Sequence, residues 1–188
     1  TIVAVTGTNG KTSVAVFVRQ IWEAMGFRAA SLGTIGVVGP TGTSYLQHTT
    51  PDPMQLHKVV AALSEDHVKH LVVEASSHGL SQYRMDGLNL TAGAFTNLSH
   101  DHLDYHATVE DYFNAKMRLF EELLPVGSAA VINMDADRSN EVLRRCETRG
   151  LQIIRVGRKG VELKLLDVQT EGLEQHLRIQ TPDGIQAI

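Results

Sequence analysis

What this chain lacks narrows its function before any motif is read. There is one cysteine, Cys146, so no disulfide can form within the chain, and that usage suits a reducing compartment. No run approaches the roughly 18 consecutive apolar residues of a membrane-spanning helix, and no secretory leader is visible. An excess of either charge is missing too. Lys and Arg number 17 against 21 Asp and Glu, a formal net charge of −4 with nine His left neutral, which offers no electrostatic case for nucleic acid or an anionic membrane. Internal repeats and low-complexity segments are absent as well. The 188 residues suffice for one domain with a real core, and the apolar and charged fractions are those of a soluble globular protein. The expectation is a cytoplasmic monomer with neither a nucleic-acid nor a membrane partner. The chain opens without Met, directly in an apolar run, and closes on Gly184-Ile185-Gln186-Ala187-Ile188 without a helix cap or polar tail. Both ends read as cut from a longer protein.

What is present alternates in type. Strand-like runs fall at Ile2–Val5, Arg28–Gly33, His70–Glu74, Leu90–Asn97, Ala129–Asn133 and Leu151–Val156. Helical spacing of apolar residues falls between them. It covers Ser13–Met25 (Val14, Phe17, Val18, Ile21, Trp22, Met25) and Met54–Ser64 behind a capping Asp52 (Leu56, Val59, Val60, Leu63). It recurs over Val109–Leu124, stopped at Pro125, and over 137–149. Gly33 to Gly42, rich in Gly and carrying Pro40, reads as a turn or hairpin. After Gly160 the pattern becomes two strands, Val161–Gln169 and Leu173–Gln180, joined through Thr170-Glu171-Gly172. These features specify an α/β fold: a doubly wound, mostly parallel sheet of the P-loop type with a small C-terminal antiparallel hairpin.

The first strand leads into Thr6-Gly7-Thr8-Asn9-Gly10-Lys11-Thr12-Ser13 and then a helix. That order cradles a nucleotide triphosphate: glycines let backbone N–H groups approach the phosphates, and the helix N-terminus adds positive potential. Lys11 would reach the β- and γ-phosphates and Thr12 would sit on Mg²⁺. The full pattern asks for Gly at position 5, where this chain has Val5.

Three further places carry chemistry. Glu74 ends an apolar strand, where a P-loop enzyme holds its metal-binding acid; the bland reading is a helix-capping or surface carboxylate. His100-Asp101-His102-Leu103-Asp104-Tyr105-His106 packs imidazoles and carboxylates into a short loop, suited to a divalent metal or simply a solvated loop with capping aspartates. Lys116 lies centred on an apolar helical stripe, with Tyr112 and Phe113 before it and Leu119 and Phe120 after it. Such a lysine either snorkels its ammonium outward or is a partly buried amine of lowered pKa, open to covalent modification. Ser77-His78 lacks the elbow of a serine hydrolase. Arg84, two residues after Gln82, reads either as a bidentate anion ligand or as an ordinary surface arginine.

Together these motifs resemble the Mur ligases of peptidoglycan synthesis, and within them the MurE type. The resemblance is carried by Val5 to Thr12, Thr49-Thr50-Pro51, Glu74-Ala75-Ser76-Ser77-His78-Gly79-Leu80, Thr96 to His106, and Ala115-Lys116 with Leu119-Phe120. The family's loop also lacks the first glycine. The resemblance implies a central ATP-binding domain, cut short at its C-terminal end and without the N-terminal uridine-binding and C-terminal amino-acid-binding domains. It implies that Gly7, Thr8, Asn9, Gly10, Lys11, Thr12 and Ser13 hold ATP. Thr12, Glu74, His102 and a CO₂-derived carbamate on Lys116 would serve Mg²⁺. Thr49, Thr50, Ser76, Gln82 and Arg84 would contact UDP-MurNAc-L-Ala-D-Glu, the partner substrate to an incoming amino acid, either diaminopimelate or lysine. His48 stands where the family often has Asn. The implied reaction forms an amide through an acyl phosphate, with Lys11, Glu74, His102 and Lys116 as the catalytic set, and the isolated piece is expected to be inactive. Folylpolyglutamate and cyanophycin synthetases are the related alternatives, and a non-catalytic nucleotide-binding module is the alternative of another class.

Overall fold

Strand β1, Ile2–Thr6, sends alternate side chains to opposite faces, and each face has its own helical cover. The computed structural model describes residues 1–99, 105–172 and 174–188. On one face Val3 and Val5 of β1 and Val72 pack under α1 (Lys11–Ala24) through Val14, Ala15, Val18 and Trp22. On the other, Ala4 joins the main core, to which α2 (Pro53–Glu65) contributes Leu56 and Leu63, and α4 (Val109–Arg118) contributes Tyr112, Phe113 and Met117. Asp52 caps α2 as expected, accepting from the Gln55 N–H at 3.1 Å. Of the apolar residues spaced along α1, Phe17, Ile21 and Met25 face outward instead of toward the sheet.

The remaining strands are β2 (Ala29–Gly33), β3 (Gly36–Gly39), β4 (Gly42–Ser44), β5 (His70–Glu74), β6 (Ala92–Phe95), β7 (Ala129–Asn133), β8 (Gln152–Gly157), β9 (Leu163–Glu171), β10 (Glu174–Thr181) and β11 (Gly184–Ala187). They form one sheet in the order β11-β10-β9-β8-β7-β6-β1-β5-β2-β3-β4. Pairing is parallel from β2 through β5, β1, β6, β7 and β8 to β9, and antiparallel outside that block. The expected doubly wound sheet is therefore present, and the Gly33–Gly42 turn is two successive hairpins. Because β5 inserts between β1 and β2 while β6 lies on the other side, the winding reverses at β1. The crevice at its C-terminal end is the ligand position of such sheets.

The C-terminal hairpin is also present, with two additions. β11 makes it three-stranded, and β9 pairs with β8 only through Val156↔Leu163 and Gly157↔Lys164. The end of one strand meets the start of the next, so a short connection suffices where a full parallel crossover needs a dozen residues. The chain jogs sideways and carries β9–β11 beyond the C-terminal edge of the parallel block. One local expectation is corrected and one segment without an assignment gains one. The helix over Val109–Leu124 becomes a π-helical turn at Leu119–Leu123, which packs Leu119, Phe120 and Leu124 against Gly93 of β6, where a side chain would collide. The Ser77-His78 stretch is a short helix, α3 (Ser77–Ser81), capped by Ser76.

Candidate functional site

The phosphate loop is held by the segment that follows β6. Thr8 N–H donates to the Asn97 carbonyl at 2.9 Å, and Asn9 N–H to Asn97 Oδ1 at 2.9 Å. The Asn9 carbonyl accepts from Thr96 Oγ1 at 2.7 Å and from Asn97 Nδ2 at 3.1 Å. This close approach demands glycine at position 7: its φ is +143°, and a Cβ would overlap Thr96 Oγ1. Gly10 enters α1 at φ +82° with open space around it. Among the described residues no side chain caps that helix and no acidic residue sits in its first turn, which leaves its N–H groups directed at the crevice. Ser13 is exposed on this first turn.

Glu74 is 1% exposed, yet its carboxylate is fully engaged. Val5 pairs with Glu74 across β1 and β5, which brings the acid beside the start of α1. Thr12 Oγ1 donates to Glu74 Oε2 at 2.9 Å. Thr34 binds both oxygens, through its N–H to Oε1 at 2.9 Å and its hydroxyl to Oε2 at 3.2 Å. Gly33 leaves the necessary room, since a Cβ there would strike the Glu74 carboxylate. A hydroxyl and a carboxylate in contact are the hard oxygen donors that suit Mg²⁺. The bland reading of Glu74 as a surface or capping acid therefore fails: it is interior and faces the loop.

Lys116 does not snorkel. It is 1% exposed, its Nζ donates to the Gly7 carbonyl at 2.9 Å, and it lies 4.1 Å from the centroid of the Tyr112 ring. Lys11 Nζ donates to the same Gly7 carbonyl at 2.9 Å and to the Thr8 carbonyl at 2.8 Å. Two lysines from distant parts of the chain thus converge on one oxygen of the phosphate loop. His102 lies outside the described residues, as do His100, Asp101 and Asp104. Among the described residues no three His, Cys, Asp or Glu side chains are grouped so as to hold a metal ion, so the oxygens of Thr12 and Glu74 are the donor set in view.

Beside Glu74 a cavity of about 300 Å³ is lined by His48, Thr49, Thr50, Ser76, His78 and Arg84. Thr50 ties its wall together: its hydroxyl donates to the Glu74 carbonyl at 2.8 Å and lies 2.9 Å from Ser76 Oγ. Gly79 permits this packing, because a Cβ would overlap Thr50. Arg84 Nη1 donates to the Thr50 carbonyl at 2.7 Å, and its Nε donates to Gln82 Oε1 at 2.9 Å. Gln82 in turn donates from Nε2 to the Tyr105 hydroxyl at 2.9 Å. Hydrogen bonds from Ser81 and Gln82, with Arg84 nearby, hold the Tyr105 phenol below its ordinary pKa. Ser77 is buried, and His78 lies tilted against Tyr105 at 3.9 Å between ring centroids.

The predicted residues Thr12, Glu74, Lys11 and Lys116 therefore surround one loop, and Thr49, Thr50, Ser76 and Arg84 line one adjoining cavity, with Gln82 behind Arg84. Sequence reasoning missed Thr34, Gly33, Asn97 and Tyr112 as parts of the site. Asn97 and Tyr112 stood inside motifs already singled out, whereas Thr34 sits in a turn that carries no motif.

A family model described as the Mur ligase middle domain matches residues 5–187. The UDP-N-acetylmuramoyl-L-alanyl-D-glutamate–2,6-diaminopimelate ligase of Bradyrhizobium diazoefficiens is 52% identical over 184 residues, 96% of this chain and 38% of that protein. Its namesake in Brucella melitensis is 50% identical over 184 residues, 98% of this chain and 38% of that protein. A solved structure of a ligase with the same name superposes with a TM-score of 0.89 at 30% identity, over 100% of this chain and 38% of that one. Folylpolyglutamate synthase of Mycobacterium tuberculosis shares the fold, with a TM-score of 0.75 at 19% identity over 99% of this chain and 49% of that one. The chain spans about 38% of the length of the curated relatives it matches.

Proposed function

Because the chain belongs to the Mur ligase middle-domain family, we propose that it is the ATP-using central domain of a ligase that joins 2,6-diaminopimelate to UDP-N-acetylmuramoyl-L-alanyl-D-glutamate. The observation that carries this reading is the Thr12–Glu74 contact at the mouth of a phosphate loop whose Gly7 carbonyl also receives Lys116. The relatives' names supply the substrates, and the open, uncapped start of α1 supports an anionic ligand there. The uridine- and amino-acid-binding domains of the full protein lie outside this chain, and it acts in the cytoplasm.

ATP supplies the phosphoryl group that converts the substrate's carboxylate into an acyl phosphate, from which the diaminopimelate amine displaces phosphate to form the amide. The chain's own residues orient and neutralise. Backbone N–H groups from Gly10 to Ser13 hold the phosphates, in a loop from Gly7 onward whose Thr8 and Asn9 N–H groups are tied to Asn97, and Lys11 leaves its carbonyl partners to pair with the phosphates. Thr12 and Glu74 would offer oxygen ligands to Mg²⁺, with His102 and a carbamate on Lys116 as the further ligands. The Lys116 amine, deprotonated, would add CO₂ and release a proton, giving a carboxylate beside the same loop. Thr49, Thr50, Ser76, Gln82 and Arg84 form the wall for the dipeptidyl substrate. His48 adds an imidazole to the same wall.

The test is product formation by the full-length protein from UDP-MurNAc-L-Ala-D-Glu and ATP, with diaminopimelate or lysine offered separately. Tripeptide with diaminopimelate is expected. Product with lysine alone overturns the substrate assignment, and nucleotide binding without any ligation overturns the enzymatic one. The 188-residue chain by itself forms no tripeptide.

A further inference from the structure

Tyr112 is fully buried and has contacts in two directions. Its hydroxyl lies 3.1 Å from Thr8 Oγ1 in the phosphate loop, and its ring lies 4.1 Å beneath the Lys116 ammonium, one turn further along α4. Thr8 Oγ1 also accepts from the Ser99 N–H at 2.9 Å and donates to the Ser99 carbonyl at 3.3 Å. The Thr8 and Tyr112 hydroxyls share one hydrogen bond in which either can donate. Thr108 fixes the start of α4 by capping it through the Asp111 N–H at 3.0 Å, and Phe113 and Met117 seat the helix in the core. The tyrosine is thus a rigid pivot carried by a capped, buried helix.

We infer that Tyr112 is a positioning residue that locks the phosphate loop and Lys116 to a single helix, so that the two halves of the site keep one spacing. The inference rests on the nucleotide role proposed for the loop, and neither the ring nor the hydroxyl touches the reacting atoms. A long buried lysine has four rotatable bonds, and the face of an aromatic ring restricts where its ammonium can settle. The phosphate loop is tied to the segment after β6 at Thr8 and Asn9, and the tyrosine hydroxyl adds a tether at Thr8 from α4. Division of labour follows: the hydroxyl serves the loop, and the ring serves the lysine.

Two variants separate these halves in the full-length protein. Tyr112→Phe keeps the ring and removes the tether. It is expected to melt near the wild-type temperature, to speed amide hydrogen exchange over Gly7–Lys11, and to weaken ADP binding about fivefold, the loss of one ordinary hydrogen bond. Thr8→Val combined with Tyr112→Phe should bind ADP no more weakly than Thr8→Val alone, because both remove the same contact. Tyr112→Leu removes the platform as well, and acetylation of Lys116 by acetic anhydride, mapped by mass spectrometry, should accelerate in it but not in Tyr112→Phe. Unchanged loop exchange in Tyr112→Phe, or additive effects in the double variant, overturns the tether. Equal acetylation of Lys116 in all three proteins overturns the platform. Failure of the wild type to bind ADP would instead remove the nucleotide reading, while exchange and acetylation still decide the role of Tyr112.

Discussion

The strands β1, β5 and β6 and the strands β9, β10 and β11 belong to one sheet, but they do opposite things with it. In the first group helices cover both faces, Ala4, Val5, Val72, Val73 and Phe95 are buried, and the strand ends converge on one crevice. In the second group every residue of β11 is exposed and β10 is only partly buried on alternate positions. Backbone pairing runs through both groups, unbroken at β5-β1-β6 and interrupted by a bulge at Arg178–Ile179 between β9 and β10. The difference teaches that pairing extends a sheet, whereas burial from both sides makes it stiff enough to hold charged side chains in place. Glu74 can be interior because Thr12, Thr34 and the Thr34 N–H meet its oxygens there, as an interior carboxylate requires. The charged residues of β10, Glu174 and Arg178, are exposed instead.

The largest test of that contrast is chemical. Glu74→Gln keeps the shape of the side chain and removes its charge, and ligation by the full-length protein should fall roughly a thousandfold. Arg178→Gln in β10 should leave the rate near wild type. Equal rates for both variants would erase the distinction between the two regions.

A smaller effect follows from two glycines in the left-handed half of backbone space. Gly7→Ala meets both an unfavourable φ and a collision with Thr96 Oγ1, so denaturant unfolding should show a loss of about 2–4 kcal/mol. Gly184→Ala, at φ +121° at the start of β11 with nothing near its Cβ, carries backbone strain alone, about 1–2 kcal/mol. A Gly184→Ala loss as large as that of Gly7→Ala would mean that β9–β11 is packed as tightly as the centre.

The smallest is a matter of pH. At the jog between β8 and β9, Arg155 hydrogen-bonds Glu162 and pulls its carboxyl down to about 2 from an ordinary 4.5. A depressed carboxylate stabilises the fold above its unfolded pKa and loses that contribution as pH falls through the folded value. Glu162→Gln should therefore be slightly less stable than wild type at neutral pH, with the gap closing between about 4.5 and 2. Denaturant midpoints measured across that range check the sign; a gap that widens on acidification contradicts it. Solvent around the pair keeps the effect modest.

Much of the centre was legible from local pattern. An apolar strand, a Gly-rich turn and a helix specify a phosphate loop within a dozen residues. A capping Asp52 before Pro53 marks α2, and Tyr112, Phe113, Leu119 and Phe120 around Lys116 mark a lysine on an apolar stripe, although the stripe alone leaves snorkelling and burial both open. The edges of the elements were less so. The π-helical turn after Arg118 depends on Gly93 of β6 making room for Leu124 and Phe120, a partner that no window of sequence contains. Phe17, Ile21 and Met25 follow helical spacing as well as Val18 and Trp22 do, yet only the latter two pack against β1 and β5.

The sequence by itself determined which residue types stand at strand ends and on helix stripes, because periods of two and of about 3.6 residues are local properties of the backbone. Only the tertiary structure decided that Lys11 and Lys116 share the Gly7 carbonyl, that Thr34 joins Thr12 on Glu74, and that Tyr112 reaches Thr8. Those contacts bridge as many as 109 positions. They exist because β5 and β6 pair on either side of β1, and strand order is set by the burial of two whole faces at once.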